Sequence, residues 1–401
     1  MNNPIILVQA ASQAWSGAPD WCMNEVDGRP VVALTIERSF EVFPDADIRI
    51  IAPAFDEGGR LDDIPSMFPD KTINIFYGFD DSPLDRMIAA LDGMPNETLV
   101  IRVDGFHFGW LPKHGAHMLN IAKLNSLDCM KLPDDYPIQL TSDIYRLGAL
   151  KKASAMLEKS NDSGQYKVHP KFFMTFNQEV FNCAHYTDSP PVSDDYLKKC
   201  REIAKGIYIT SRTEVTGKKI SGGDQFSFHY QLGLEHISSQ MDILDIACGW
   251  GYGSQILAKK ASTVTAADID GETILTATKD NIPANINFQI ADVTDMVFEN
   301  ESFDAVTSFE TVEHIDPAPF FKEIHRVLRT GGLLILSTPQ NSLGHIPVNS
   351  QHLREFSIEE ITALASKHFT VEKVIGIKQG RVIFPDDPKG QNTFMVCKKP
   401  E

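Results

Sequence analysis

Residues 243–257, ILDIACGWGYGSQIL, constrain the fold more than any other stretch. An apolar run (Ile243, Leu244, Ile246) reads as a short strand. Glycines at 249, 251 and 253 then let the backbone turn tightly and come close to a ligand. The residues beyond open a helix, whose N-terminal N–H groups face polar or anionic ligand atoms. Alone, such a turn also serves as a plain strand-to-helix connection. The context narrows the choice. A second apolar strand over residues 262–267 ends in Asp268. From Gly249 that is about the 20-residue spacing at which an acid meets ribose hydroxyls in nucleotide-binding α/β folds.

Further motifs follow in order. Asp245-Ile-Ala247-Cys-Gly249-Trp-Gly251-Tyr-Gly253, Asp268-Ile269-Asp270, Ala291-Asp292-Val293, Phe303-Asp-Ala-Val306, Glu310-Thr-Val-Glu313-His314 and Thr330-Gly-Gly332 resemble the successive motifs of the class I S-adenosylmethionine (SAM) methyltransferases. Six elements in one order and spacing are more specific than a lone glycine triplet. The resemblance covers roughly the C-terminal half. It implies a seven-stranded Rossmann-like sheet and SAM as the cofactor. Ala247, Gly249 and Gly251 would then present backbone to the methionine end. Asp245 would anchor the turn or meet the ammonium through water. Asp268 would accept from the ribose, with Ile269 beside it, and Asp292 from the adenine amino group, with Val293 donating its N–H. Glu310 would complete the cofactor side. The plain alternatives are a solvated strand-end acid for Asp268 and a turn acid for Asp292.

Methyl transfer needs a positioned nucleophile, and a hydroxyl acceptor gains from a general base. His314, with an ordinary pKa suited to base work near neutrality, is one candidate. The alternative is that Glu313 and His314 cap a helix and line the acceptor pocket. His352-Leu-Arg354-Glu355-Phe356 looks like a loop of polysaccharide-linked methyltransferases, making His352 a second catalytic candidate and Arg354 an acceptor contact. Ser357 and Glu360 also fit a helix capping box. His229-Tyr230 resembles the helix that closes over SAM in glycan-associated members, which makes Tyr230 a substrate-side candidate. A core helix is the alternative.

The N-terminal half alternates strands (residues 5–8, 48–52, 73–77, 99–103) with helices (31–43, 83–91, 141–157). This implies a second doubly wound α/β layer. Residues 28–38, 79–86 and 101–105 resemble sugar cytidylyltransferases of the spore-coat polysaccharide type. That family holds its triphosphate with a basic first loop. Here residues 12–27 contain no Lys or Arg, and carry Asp20, Glu25 and Asp27 instead. The expectation is a nucleotidyltransferase-like domain that binds rather than catalyses. Asp104 is more readily a solvated or capping acid than a metal ligand, and the aromatic run Phe106-His-Phe-Gly-Trp110 more readily core than ligand platform. The expected layout is a first domain over 1–160, a connecting segment over 161–215 and a methyltransferase domain over 216–401.

A net charge of −17 argues against a nucleic-acid partner. Six cysteines without metal-ligand spacing read as reduced thiols of a cytoplasmic protein, with no metal and no membrane span expected. The favoured function is O-methylation of a sugar or nucleotide-linked sugar in surface polysaccharide assembly, on a small-molecule or glycan acceptor. A bifunctional nucleotidyltransferase/methyltransferase is the second reading. The third makes the N-terminal half a homo-oligomerisation or binding scaffold.

Overall fold

The computed structural model describes residues 3–12, 20–160, 164–207, 225–279, 282–344 and 346–401, without the side chains of 225 and 226. The chain divides into two compact units, Met1–Ile209 and Thr210–Glu401.

The first unit runs β1 (Ile5–Gln9), β2 (Glu25–Val26), β3 (Arg29–Pro30), α1 (Val31–Val42), β4 (Asp47–Ala52), β5 (Ile73–Tyr77), α2 (Pro83–Ala89), β6 (Leu99–Asp104), α3 (Pro112–Leu124), β7 (Cys129–Lys131), β8 (Asp143–Arg146), α4 (Leu147–Leu157), α5 (Gly164–Val168), α6 (Pro170–Phe176), β9 (Cys183–His185) and α7 (Asp194–Ile207). Seven strands form one sheet in the order β5-β4-β1-β6-β8-β7-β9. β5, β4, β1 and β6 are parallel, and β8 is antiparallel to both its neighbours. Strand order reverses between β1 and β6. Their carboxyl ends, at Gln9 and Asp104, therefore flank the crevice where doubly wound sheets bind ligands.

Two expectations are corrected here. The helix expected from residue 141 begins at Leu147, because 143–146 form β8. Ile144 and Tyr145, both strand-favouring residues, are fully buried. Asp143 opens this strand, and both its oxygens accept from Lys171 Nζ, at 3.2 and 3.1 Å, while Arg102 lies 3.7 Å away. The segment expected to connect the halves is also structural. Its residues 164–207 supply α5, α6, β9 and α7, with Phe172, Phe181 and Tyr186 buried. The aromatic run after β6 packs as core, as expected: Phe108 and Trp110 are buried, and Trp110 Nε1 donates to the Thr35 carbonyl. Part of the loop lacking Lys and Arg, residues 13–19, lies outside the described residues.

The second unit runs α8 (Gln225–Leu234), β10 (Asp242–Ile246), α9 (Tyr252–Leu257), β11 (Thr263–Asp268), α10 (Gly271–Ala277), β12 (Ile286–Ile290), β13 (Phe303–Phe309), α11 (Pro317–Val327), β14 (Leu328–Pro339), α12 (Ile358–Ala365), β15 (Thr370–Ile377) and β16 (Asn392–Lys398). Its sheet order is β12-β11-β10-β13-β14-β16-β15, with β16 antiparallel to both neighbours. This is the seven-stranded sheet of the class I methyltransferase fold. Central strands bury both faces, as parallel strands under helices must. Leu244, Val306 and Leu334 pack on Phe320 and Phe321 of α11, while Ile243, Ala305 and Ile335 pack with Tyr230 and Leu257 on the opposite face.

The buried Arg102–Asp143–Lys171 group ties β6, β8 and α6 together. Removing one partner of a buried ion group strands the remaining charge, at about 3–5 kcal/mol. Asp143→Ala should destabilise the first unit by about that amount, read as a lowered urea midpoint in tryptophan fluorescence.

Candidate active site

The site forms where the second sheet reverses strand order, between the carboxyl ends of β10 and β13. Asp245, near the end of β10, is buried. Its Oδ2 accepts from Ser254 Oγ at 2.6 Å and its Oδ1 from Thr307 Oγ1 at 2.8 Å. Tyr230 OH approaches at 3.4 Å. Burial pushes this carboxyl up to about 6, against the hydroxyl donors that favour its charge. Of its two expected roles, Asp245 holds the anchoring one.

Beyond it the backbone enters the left-handed region at Ala247, Gly249 and Gly251, with φ of +61°, +52° and +73°. Gly249 N donates to Asp268 Oδ2 at 3.0 Å, pinning the turn to the end of β11. The three glycines answer different needs. A Cβ at Gly249 would meet nothing within 4 Å, which leaves an open cradle. At Gly251 it would lie 2.5 Å from the Phe288 ring, and at Gly253 1.9 Å from the Tyr230 ring. Tyr230, expected to touch substrate, is instead wedged in the core between α8 and α9, its ring filling the space that Gly253 leaves.

Asp268 also accepts from Asp270 N through Oδ1. Each oxygen is thus held from behind by one backbone N–H and keeps a second lone pair for a ribose hydroxyl. Ile269 and Ile290, at the ends of neighbouring strands, are 59% and 60% exposed. They offer an apolar edge to a base. Asp292 Oδ1 accepts from both the N and the Oγ1 of Thr294, leaving Oδ2 without a partner among the described residues. The Val293 side chain joins the core. An open glycine cradle, two oriented carboxylates and an apolar edge fit the amino-acid, ribose and adenine parts of SAM.

Across the reversal, Glu310 is the first residue after β13 and also has positive φ, +52°. Its Oε1 accepts from Ser337 Oγ at 2.8 Å and its Oε2 from Asn392 Nδ2 at 2.7 Å. His229 Nδ1 lies 2.7 Å from the same Ser337 hydroxyl. Burial pushes Glu310 up to about 7, chiefly against the Ser337 donor. Glu313 is buried and raised well above the ordinary carboxylate range by burial and by Glu310. Its Oε2 accepts from Thr338, and its buried Oε1 has no hydrogen-bond partner among the described residues.

His314 is 41% exposed, with Nε2 3.9 Å from Glu313 Oε1. Its Nδ1 faces the Gln351 carbonyl at 3.1 Å. A carbonyl only accepts, so Nδ1 carries the proton and Nε2 is the basic nitrogen. The His352 ring meets His314 edge-on at 5.0 Å. Both His352 nitrogens are engaged within its own loop, Nδ1 with Glu355 Oε1 at 2.7 Å and Nε2 with Asn349 at 2.9 Å. Arg354 pairs with Glu360 at 2.8 Å and is 44% exposed. The Ser357–Glu360 capping box is present with both its bonds. Although the sequence suggested no metal, Glu313, His314 and His352 bring ligand atoms within 4.8 Å of one another.

The wedge at Gly253 can be measured. Gly253→Ala forces the new methyl into the Tyr230 ring and should cost about 1–3 kcal/mol. In a Tyr230→Ala background the same methyl should cost far less. Additive losses in the double-mutant cycle would show that the two do not touch.

Residues 244–336 match the family model described as "Methyltransferase domain". A "Probable S-adenosylmethionine-dependent methyltransferase" of Mycolicibacterium smegmatis is 33% identical over 153 residues, 37% of this chain and 59% of that protein. A "Ubiquinone biosynthesis O-methyltransferase" of Xanthomonas oryzae is 33% identical over 114 residues, 26% of this chain and 48% of its own length. Among solved structures, an S-adenosylmethionine-dependent methyltransferase from Mesorhizobium loti aligns at a TM-score of 0.37 and 15% identity, covering 44% of this chain and 100% of that one. The chain spans about half the length of the curated relatives it matches. The N-terminal unit is unidentified; the C-terminal unit carries a class I SAM-dependent methyltransferase domain.

Proposed function

We propose that the chain uses SAM to methylate a hydroxyl of a sugar or nucleotide-linked sugar in surface polysaccharide assembly, and that its N-terminal unit binds a ligand of that pathway without catalysis. The observation that carries the SAM reading is the Gly249–Asp268 link beside the open cradle. When bound, SAM supplies a methyl group on a sulfonium, open to in-line attack. Gly249 and Gly251 hold the methionine end, Asp268 the ribose and Asp292 the adenine. His314 Nε2 takes the acceptor's hydroxyl proton while its Nδ1 stays committed to Gln351. Glu313, whose ionisation is opposed by burial and by Glu310, backs the imidazole. His352 positions His314 through the ring contact, and Arg354 offers a guanidinium to a polar or phosphorylated acceptor.

An oxygen acceptor is supported by the O-methyltransferase among the relatives. The glycan reading is supported by the likeness of the loop around His352 and Arg354 to polysaccharide-linked enzymes. For the first unit, support comes from the β1–β6 crevice. Asp104 pairs with Arg102 at 3.0 Å, and Asp20 is pushed up to about 6 by burial and then by Asp104. Arg86 is buried, and its Nε has no hydrogen-bond partner among the described residues. These groups suit recognition of a charged ligand, while the acid-bearing first loop disfavours a triphosphate.

Calorimetry should find SAM bound with roughly micromolar affinity, about −8 kcal/mol. Asp268→Ala should weaken it by about 1–3 kcal/mol, through lost charged hydrogen bonds. Unchanged affinity would remove Asp268 from the site. Once an acceptor is identified, His314→Ala should lower turnover roughly 10²-fold with SAM affinity intact. An unaffected turnover would leave the pocket working by positioning alone.

A further inference from the structure

Glu310 is held more elaborately than a pocket-lining acid requires. It is the first residue after β13, as Ala247 is the first after the neighbouring β10, and both take left-handed backbone that costs about 1–2 kcal/mol for a residue with a Cβ. Strain of this kind persists where surrounding structure fixes it, commonly at functional sites. The fixing groups come from three elements: Ser337 on β14, Asn392 on β16 and, behind Ser337, His229 on α8.

We propose that Glu310 selects the cofactor by charge, favouring sulfonium-bearing SAM over the uncharged thioether product S-adenosylhomocysteine, and that Ser337, Asn392 and His229 are positioning residues that keep its carboxylate ionised. The inference rests on the SAM-binding reading above. The donor directions fit it. Ser337 has one hydroxyl proton, and the carboxylate receives it. His229 must then donate Nδ1–H to the Ser337 oxygen, which a neutral ring does when its one proton sits on Nδ1. Burial holds it neutral, pushing His229 down to about 4. The relay therefore delivers a donor to the carboxylate without placing a fixed cation beside it.

The charge of Glu310 is adjustable because opposing influences leave it at about 7. Burial raises it. Ser337, Asn392 and the field of His352 lower it, and Glu355 raises it again. His229 from α8, Glu313 on its own segment, and His352 and Glu355 from the loop before α12 are the titratable groups that face it. Below pH 7 Glu310 is neutral and has little preference between the two cofactors. Above pH 7 it is ionised and favours the one with the extra positive charge. The sulfonium lowers the pKa of the ammonium on its own molecule, so the part of the slope that belongs to Glu310 is the difference between the wild-type chain and Glu310→Gln.

The test is calorimetric binding of SAM and of S-adenosylhomocysteine to the full chain between pH 5.5 and 8.5. The ratio of affinities should rise in favour of SAM by about tenfold or more with a midpoint near 7, since a one-unit pKa coupling is a tenfold change in affinity. Glu310→Gln should flatten the ratio. Ser337→Ala removes a donor from the carboxylate, so its midpoint should move to higher pH, and His229→Phe should move it the same way. A flat ratio in the wild-type chain overturns the inference, as does a slope that survives Glu310→Gln unchanged. A slope abolished by His352→Gln, with midpoints unmoved in Ser337→Ala, assigns the effect to His352 and overturns it equally. Binding of neither molecule at any pH overturns the SAM reading itself.

Discussion

The carboxylate of Asp245 ties together the four elements that make the cofactor cradle. It belongs to β10, accepts from Ser254 on α9 and Thr307 on β13, and is approached by Tyr230 from α8. The glycine turn lies between Asp245 and Ser254, so both of its ends are fixed to one buried group. The cost is visible in the carboxyl's pKa of about 6, above the ordinary 3.8. For an acid raised on folding, the contribution to stability is fully present below the unfolded pKa and is lost as pH rises through about 6. At neutral pH the second unit therefore keeps an ionised acid in its core, and the hydroxyl donors offset part of the desolvation penalty.

What could be read from the sequence was what depends on nearby residues. The glycine turn, the acid after the second strand and the Ser357–Glu360 cap are each set by short-range spacing, and each stands where the pattern placed it. The seven-stranded order of the second unit follows from motifs met in sequence. Features decided by distant partners were not legible. Residues 143–146 look like the start of a helix because the residues after them are good helix formers. They form a strand because Asp143 finds Lys171, 28 residues away, and the sheet finds Ile144 and Tyr145. Tyr230 looked like a substrate contact because nothing local reveals that Gly253 leaves room for its ring. The partners of Glu310 lie 27 and 82 residues away, so its environment had no sequence signature.

Positive φ at Ala247 and Glu310 shows a further limit of pattern reading. A search for glycine finds Gly249 and Gly251, where left-handed backbone costs little. It passes over the two residues that adopt the same conformation against their preference. Both are the first residue after a central strand, one on each side of the point where strand order reverses. There the chain must turn away from the crevice at once to leave room for a ligand. At Ala247 the small side chain limits the crowding. At Glu310 the carboxylate is itself the reason for the geometry, because the turn directs it toward Ser337 and Asn392.

Three acids crowd the β13 side of this crevice, and the fold treats their charge in three ways. Glu355 is matched, with His352 on one oxygen and Asn341 on the other. Glu313 is pushed toward its neutral form by burial and by the neighbouring Glu310. Glu310 sits between these extremes, with donors on both oxygens and burial opposing them. Two like charges in one poorly solvated site cannot both ionise cheaply, so whatever pushes Glu313 toward its neutral form favours charge on Glu310. The acidic side of the pocket thus behaves as one coupled system with a single adjustable charge, placed at the carboxyl end of the strand that faces the glycine turn.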